Sequence, residues 1–230
     1  MMSRSITDRP LYTMVRYLYY FFLTNFYFIV CNLLFFIVFY LADIVFENIL
    51  LFYVTLIPMG PTITAVLSSM GKLVREKDLN PTKDFFIAYK TNFITTMKYW
   101  LIQLTVIFIL LIDILQTATD TSLFSMIYLI LLVVCILIMI YALPIIARFE
   151  VKIKNLFIIS IYANFKYIKT TLLNVSTIVA FGFIYFNFPS LSTLFTVSLI
   201  GYFVMYNLQK PMIQMEEEMS QVSKDRKSVV

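Results

Sequence analysis

Histidine is absent from the 230-residue chain. That removes the commonest proton shuttle and the commonest nitrogen ligand for a metal, and with them any Ser/His/Asp hydrolytic set. Glycine occurs only 4 times, and no stretch has the glycine-rich spacing that cradles phosphates. The two cysteines, Cys31 and Cys135, sit inside apolar runs, where a thiol behaves as a small hydrophobe. Two thiols without histidine make a poor metal set, so no metal and no cofactor are expected. Charge is scarce as well: 13% of residues against about 25% in soluble domains. No acidic residue falls at the centre of an apolar run, and an intramembrane carboxylate chemistry has nothing to stand on. The composition therefore argues against an enzyme.

What the chain has is apolar length. It is 61% hydrophobic, and its charges are clustered between long uncharged runs, the pattern of a multi-span membrane protein. Six runs are long enough to read as spans, at about residues 17–42, 48–67, 99–114, 123–147, 170–187 and 191–208. The first is too long for a signal peptide's apolar core and is read as a retained helix. Residues 209–230 form a charged tail, with the run Glu216-Glu217-Glu218 and a basic group around Lys224.

Sidedness follows from lysine and arginine. All 18 of them fall in residues 1–16, 68–98, 148–169 and 209–230, which alternate with turns that contain none. Those turns hold Asp43, Glu47, Asp113 and Asp120 instead. The positive-inside rule places both termini and the basic connections in the cytoplasm of a bacterial plasma membrane. The formal charge of +5 is explained by this partition, and no pattern of interleaved aromatic and basic residues points to nucleic acid. Two basic stretches are read as amphipathic surface helices. One starts at Asn80-Pro81-Thr82-Lys83-Asp84, with Asn80 or Thr82 able to cap and Asp84 in the first turn; Phe86, Tyr89, Phe93 and Met97 then recur at helical spacing. The other opens at Arg148 and reaches Lys169. The fold class is thus an all-α membrane protein with six transmembrane helices, both termini cytoplasmic and two cytoplasmic amphipathic helices. Phe85–Phe93 also echoes Phe157–Phe165, which fits either a duplicated unit or the general likeness of two surface helices.

Three groups of residues are candidates for function. Pro58, Gly60 and Pro61 interrupt the second span and Pro144 the end of the fourth; each proline removes a backbone donor, so the helix is expected to kink or unwind there. Such a break either exposes carbonyls to a cavity or is a packed kink. Asn32, Gln103 and Asn174 lie within spans and either bond between helices or line a polar path. Lys83, Asp84, Lys90, Arg148, Glu150 and Lys152 stand on the basic side, where they anchor on anionic headgroups, form a docking platform for another protein, or do both.

The run Ile57-Pro58-Met59-Gly60-Pro61-Thr62 with Ala65, the basic turn from Lys72 to Lys77, the Asp84-Phe85-Phe86 helix and the stretch from Tyr141 to Phe149 together resemble the YesL-like family of bacterial membrane proteins, over about residues 16–208. The resemblance implies a small multi-span protein, often encoded beside carbohydrate ABC importers, from a low-GC Gram-positive host. No catalytic residue comes with it. It implies a non-enzymatic accessory component of an ABC-type carbohydrate uptake system, whose partners are the lipid bilayer and the importer's permease subunits. Neither basic stretch carries the Glu-Ala-Ala coupling loop of a permease. The alternative is a stand-alone small transporter or channel with its path at the broken second span.

Overall fold

The computed structural model describes residues 10–117 and 123–228. Arg4, Arg9 and Asp120 lie outside them. The described residues form helices and short connections, with no strand among them. Helix α1 (Pro10–Cys31) continues after Asn32 as α2 (Leu33–Leu41). A 3-10 turn then leads into α3 (Ile49–Leu56) and, after Ile57-Pro58, α4 (Met59–Glu76). Helix α5 (Pro81–Thr117) runs unbroken, and α6 (Leu123–Arg148) follows. Then come α7 (Ile153–Lys166), α8 (Ile168–Asn187), a single turn α9 (Pro189–Ser192), α10 (Thr196–Asn207) and α11 (Gln209–Ser228).

Helix α4 is the centre of the bundle and packs on α1, α5, α6 and α10. Its sequence explains this. Ala65, Val66, Met70 and Leu73 take one flank, Leu67 and Val74 another, and all six are buried. The first flank joins a core with Tyr20, Phe21 and Phe28 of α1 and Phe85 of α5. The second joins Trp100, Tyr141, Val204 and Met205 of α5, α6 and α10. Twelve of its 18 residues are buried, so the helix sits inside the bundle, and its polar stripe is confined to the last turns. Small residues let its neighbours close in. A Cβ placed on Gly60 would lie 2.2 Å from Cγ of Trp100, and one on Gly201 would lie 3.0 Å from Val66.

The helices break in several places, and side chains from the same and from neighbouring helices bond to the backbone there. Between α3 and α4 the axis bends by 44°. There the Trp100 indole N–H donates to the Leu56 carbonyl at 2.9 Å, and the Thr62 hydroxyl donates to the Pro58 carbonyl. At the α1–α2 junction the Asn32 amide donates to Phe28 O at 2.8 Å and to Thr62 Oγ1 at 3.0 Å. Two breaks are thereby tied together. Ahead of α10, Asn25 of α1 caps a helix other than its own. Its Oδ1 accepts from the backbone N–H of Val197 at 3.1 Å and Ser198 at 3.4 Å, while its Nδ2 donates to Thr193 O at 2.8 Å. At the α7–α8 junction the Tyr141 hydroxyl donates to Tyr167 O at 3.3 Å. The Pro58, Phe28 and Tyr167 carbonyls also accept backbone N–H groups, from Thr62 at 3.4 Å, Asn32 at 3.2 Å and Thr171 at 3.0 Å, so there the side chains reinforce the junction. The Leu56 carbonyl is answered by the indole, and a buried backbone group without a partner costs about 1–3 kcal/mol. Pro144, by contrast, lies inside α6 without ending it.

Four helices are long and apolar enough to cross a membrane: α1, α5, α6 and α8; the bent pair of α3 and α4 makes a fifth candidate. Much of α6 from Leu123 to Ile136 and of α8 from Leu172 to Phe186 turns large apolar side chains outward, the surface that lipid contact requires. The last apolar run, 191–208, is interrupted after Ser192, and α10 has 12 residues, or about 18 Å of helix. Two elements are more continuous than the sequence suggests. The first surface stretch and the third span are one helix, α5, whose 37 residues extend about 55 Å. The buried face of its first turns is Phe85 and Ala88 rather than the half-exposed Tyr89 and Phe93. The charged tail is itself a helix, α11.

The approach of α4 to α5 gives a pair of expectations. Gly60→Ala forces the Trp100 ring aside and lowers stability by about 1–3 kcal/mol. Gly182→Ala on α8, where a Cβ meets nothing within 4 Å, is neutral or gains up to about 1 kcal/mol of helix propensity. Thermal unfolding of both variants in detergent checks the contrast.

A candidate functional site at the basic end of the bundle

The C-terminal turns of α4 carry Ser68, Lys72 and Arg75 at i, i+4 and i+7, one stripe along one helix face. The chain then turns at Lys77, whose φ of 60° is left-handed and whose N–H closes the helix on Leu73 O. Helix α1 holds the turn in place. Tyr20 donates to Asp78 at 2.8 Å and Arg16 lies 3.9 Å from the same carboxylate; the Tyr20 hydrogen bond, with the Leu79 N–H and Arg16 assisting, keeps the Asp78 carboxyl below its ordinary range. Helix α5 begins on a reciprocal cap. Asn80 Oδ1 accepts from the Lys83 N–H at 3.2 Å, and Asp84 Oδ2 accepts from the Asn80 N–H at 2.9 Å, which satisfies two of the orphan donors of the first turn.

These elements face each other across a groove of about 320 Å³ between α4, α5 and the link from α6 to α7. Ser68, Ser69, Lys72 and Arg75 line one wall, Asp84, Thr91 and Asn92 a second, and Arg148 and Glu150 a third. Lys72 crosses it to Asp84 at 2.8 Å, and the Asp84 side chain is only 14% exposed. Arg148 points its guanidinium over the Phe149 ring and onto Glu216 of α11 at 2.7 Å. A second groove, about 580 Å³, shares Thr91, Asn92 and Glu150 with the first and adds Lys98 and Lys152. Behind the α6–α7 link an apolar cavity of about 340 Å³ lies between Ile145, Phe149, Ile159, Tyr162 and Met215, with Glu218 at its edge.

Helix α11 closes over this end. Leu208, Met212 and Met215 are buried in the core with Leu156 of α7. The acidic run supplies the electrostatic fastening, Glu216 to Arg148 and Glu218 to Lys166 at 2.5 Å. The Glu218 carboxylate, through its hydrogen bond, raises the Lys166 ammonium's affinity for its proton.

Of the residues expected to dock a partner, Asp84, Arg148 and Glu150 come together in the first groove and Lys152 joins Glu150 in the second. Lys83 and Lys90 are exposed on α5 and line neither. The residues singled out for a polar path are dispersed over three helix junctions. Asn32 bonds to Thr62; Gln103 donates to Cys135 O at 2.8 Å; Asn174 accepts from Asn207 at 3.0 Å. None of the three, nor Pro58, Gly60 or Pro61, lines either groove or the apolar cavity. Cys31 and Cys135 are free thiols. Among the described residues no three of His, Cys, Asp and Glu stand close enough to hold a metal ion. The sequence marks Lys72 only as the start of a basic turn and does not mark Ser69 or Arg75 as site residues, although Ser68, Lys72 and Arg75 share one helix face. The fastening of Glu216 and Glu218 had no local signal, because their partners are 68 and 52 residues away.

Residues 21–114, which run from α1 through most of α5, match the model of a family described as a protein of unknown function, DUF624. The match covers the Ile57-Pro58 break and the α4 and α5 walls of the groove. No curated protein and no solved structure matches the chain.

The fastening of α11 can be loosened on its own. Glu216→Gln with Glu218→Gln removes both ion pairs and leaves the Met212 and Met215 contacts. Amide exchange in α11 then speeds up while α4 and α5 exchange as before. About 1 M salt, where the Debye length is roughly 3 Å, has a weaker effect in the same direction. Unchanged α11 exchange in the double variant contradicts the assignment.

Proposed function

We propose that this chain is a non-enzymatic accessory component of an ABC-type carbohydrate uptake system in a bacterial plasma membrane. In this reading it threads the membrane six times. The sixth crossing is residues 191–208, of which α10 is the main part, and both termini and the basic end are cytoplasmic. The basic end docks to the permease or its ATPase. One observation carries the reading: the grooves open at the end that gathers lysine and arginine, whereas the break in the second span is filled by Trp100, Thr62 and Asn32. Alternate connections that are basic and free of Lys and Arg support the threading. The likeness to the YesL-like family supports the importer as partner. Exposed mixed charge at Glu150 and Lys152 is the kind of polar rim that sets register and partner choice without supplying most of the affinity.

A second reading, a small transporter or channel, draws on the buried hydroxyls of Thr24, Thr64 and Thr96, which have no hydrogen-bond partner in the protein. The two readings separate experimentally. In the first, the tagged chain solubilised from its host brings down a sugar permease, deletion slows uptake of that sugar, and Glu150→Lys with Lys152→Glu weakens capture while the bundle stays folded. Normal uptake in the deletion strain together with no co-purifying permease contradicts it. Solute flux by the purified chain alone in liposomes favours the second.

A further inference from the structure

We propose that the groove between α4, α5 and the α6–α7 link binds a phosphate group, carried either by the headgroup of an anionic phospholipid or by a soluble phosphate ester. The proposal goes beyond the accessory reading and does not depend on it. It starts from the balance of charge in the lining. Lys72 is taken up by Asp84 at 2.8 Å and Glu76 at 3.9 Å, and Arg148 engages Glu216 through one of its nitrogens. Arg75 has no ion pair and no hydrogen bond among the described residues; burial and the nearby Arg148 charge both disfavour its protonated form, and Glu76 and Glu216 offset this only from beyond ion-pair distance. Two guanidiniums that face one groove and repel each other are relieved by an anion between them, and arginine's planar fork suits phosphate oxygens.

The second observation is independent of charge. Ser69 lines the same groove, is 1% exposed, and its hydroxyl has no hydrogen-bond partner in the protein. A buried hydroxyl without a partner is unfavourable unless a ligand or water answers it. Ser68, Thr91 and Asn92 add further donors to the lining. A tetrahedral anion with several acceptor oxygens satisfies this set; a cation leaves Arg75 and Ser69 unanswered. The two carboxylates of the lining do not oppose it equally. Asp84 is occupied by Lys72 and by the Asn80 N–H. Glu150 stands where the first groove meets the second. The groove's place at the basic end, where helices leave their apolar stretches, is the level at which basic pockets between helices meet headgroups.

The test uses the full-length protein, purified and stripped of lipid in neutral detergent, with dioleoyl-phosphatidylglycerol and inorganic phosphate as separate probes. Native mass spectrometry reads adducts and thermal unfolding reads affinity. One saturable site is expected. Arg75→Gln weakens it by roughly tenfold or more, about the worth of one charge-assisted hydrogen bond. Ser69→Ala also weakens binding but leaves the ligand-free unfolding midpoint unchanged or raised, which a merely structural serine would not do. Lys90→Gln, on the same end but outside the groove, changes nothing. Binding of the lipid alone assigns a headgroup; binding of phosphate in competition with the lipid assigns a soluble phosphate ester. The proposal is overturned by the absence of saturable binding for both probes, or by Arg75→Gln and Ser69→Ala variants that bind as the wild type does.

Discussion

A carbonyl cut off from its helix must find another donor, and the bundle is arranged around meeting that need. The backbone opens at Ile57-Pro58, between α3 and α4, at the head of the helix on which α1, α5, α6 and α10 all pack. The Trp100 indole answers Leu56, the Thr62 hydroxyl answers Pro58, and Asn32 binds Thr62 from the next helix. The break is therefore a joint. It fixes α5 against α4 through Trp100 and α1 against α4 through Asn32, and the missing side chain at Gly60 is what allows the indole so close. The same device recurs where Asn25 caps α10 and where Tyr141 meets the turn into α8. Asn25, Asn32, Trp100 and Tyr141, polar side chains of the apolar layer, are each spent on the backbone at a helix junction.

The proposed function belongs to the end where the chain is polar. The basic end contains the grooves, the capped start of α5 and the fastened tail, all built from residues that face one another across different helices. Charges there are partly paired: Lys72 with Asp84, Arg148 with Glu216 and Lys166 with Glu218. Each of these pairs keeps at least one partner within reach of water, and pairs in water contribute about 0–1 kcal/mol each. The apolar middle and the partly paired polar end are two consequences of one sequence pattern, in which charge is kept out of the apolar runs.

Much of this was legible in the sequence. The apolar runs, the Pro58–Pro61 interruption, the Asn80 cap and the gathering of basic segments all rest on local chemistry, and local chemistry can be read one segment at a time. Three things could not be read that way. The continuity of α5 through Lys98 was hidden because a charge looks like the edge of a span, yet lysine can extend its stem and leave the helix intact. Asn25, Asn32 and Trp100 looked like ordinary polar or aromatic residues of a span; their roles depend on which carbonyl of another helix lies opposite. The docking of α11 depends on Glu216 and Glu218 meeting residues far back in the chain. Arg75 and Ser69 were missed for a different reason. They stand on the last turns of the central helix, and only the fold turns those turns into a wall of the groove.

The account is tested most directly at the indole. Trp100→Phe keeps a ring against Gly60 and removes the one donor that reaches Leu56 O. Measured by chemical unfolding in detergent, it should lose about 1–3 kcal/mol, with amide exchange accelerated at residues 57–61. A variant as stable as the parent, with that segment equally protected, would contradict the claim that the break is held shut by its neighbours.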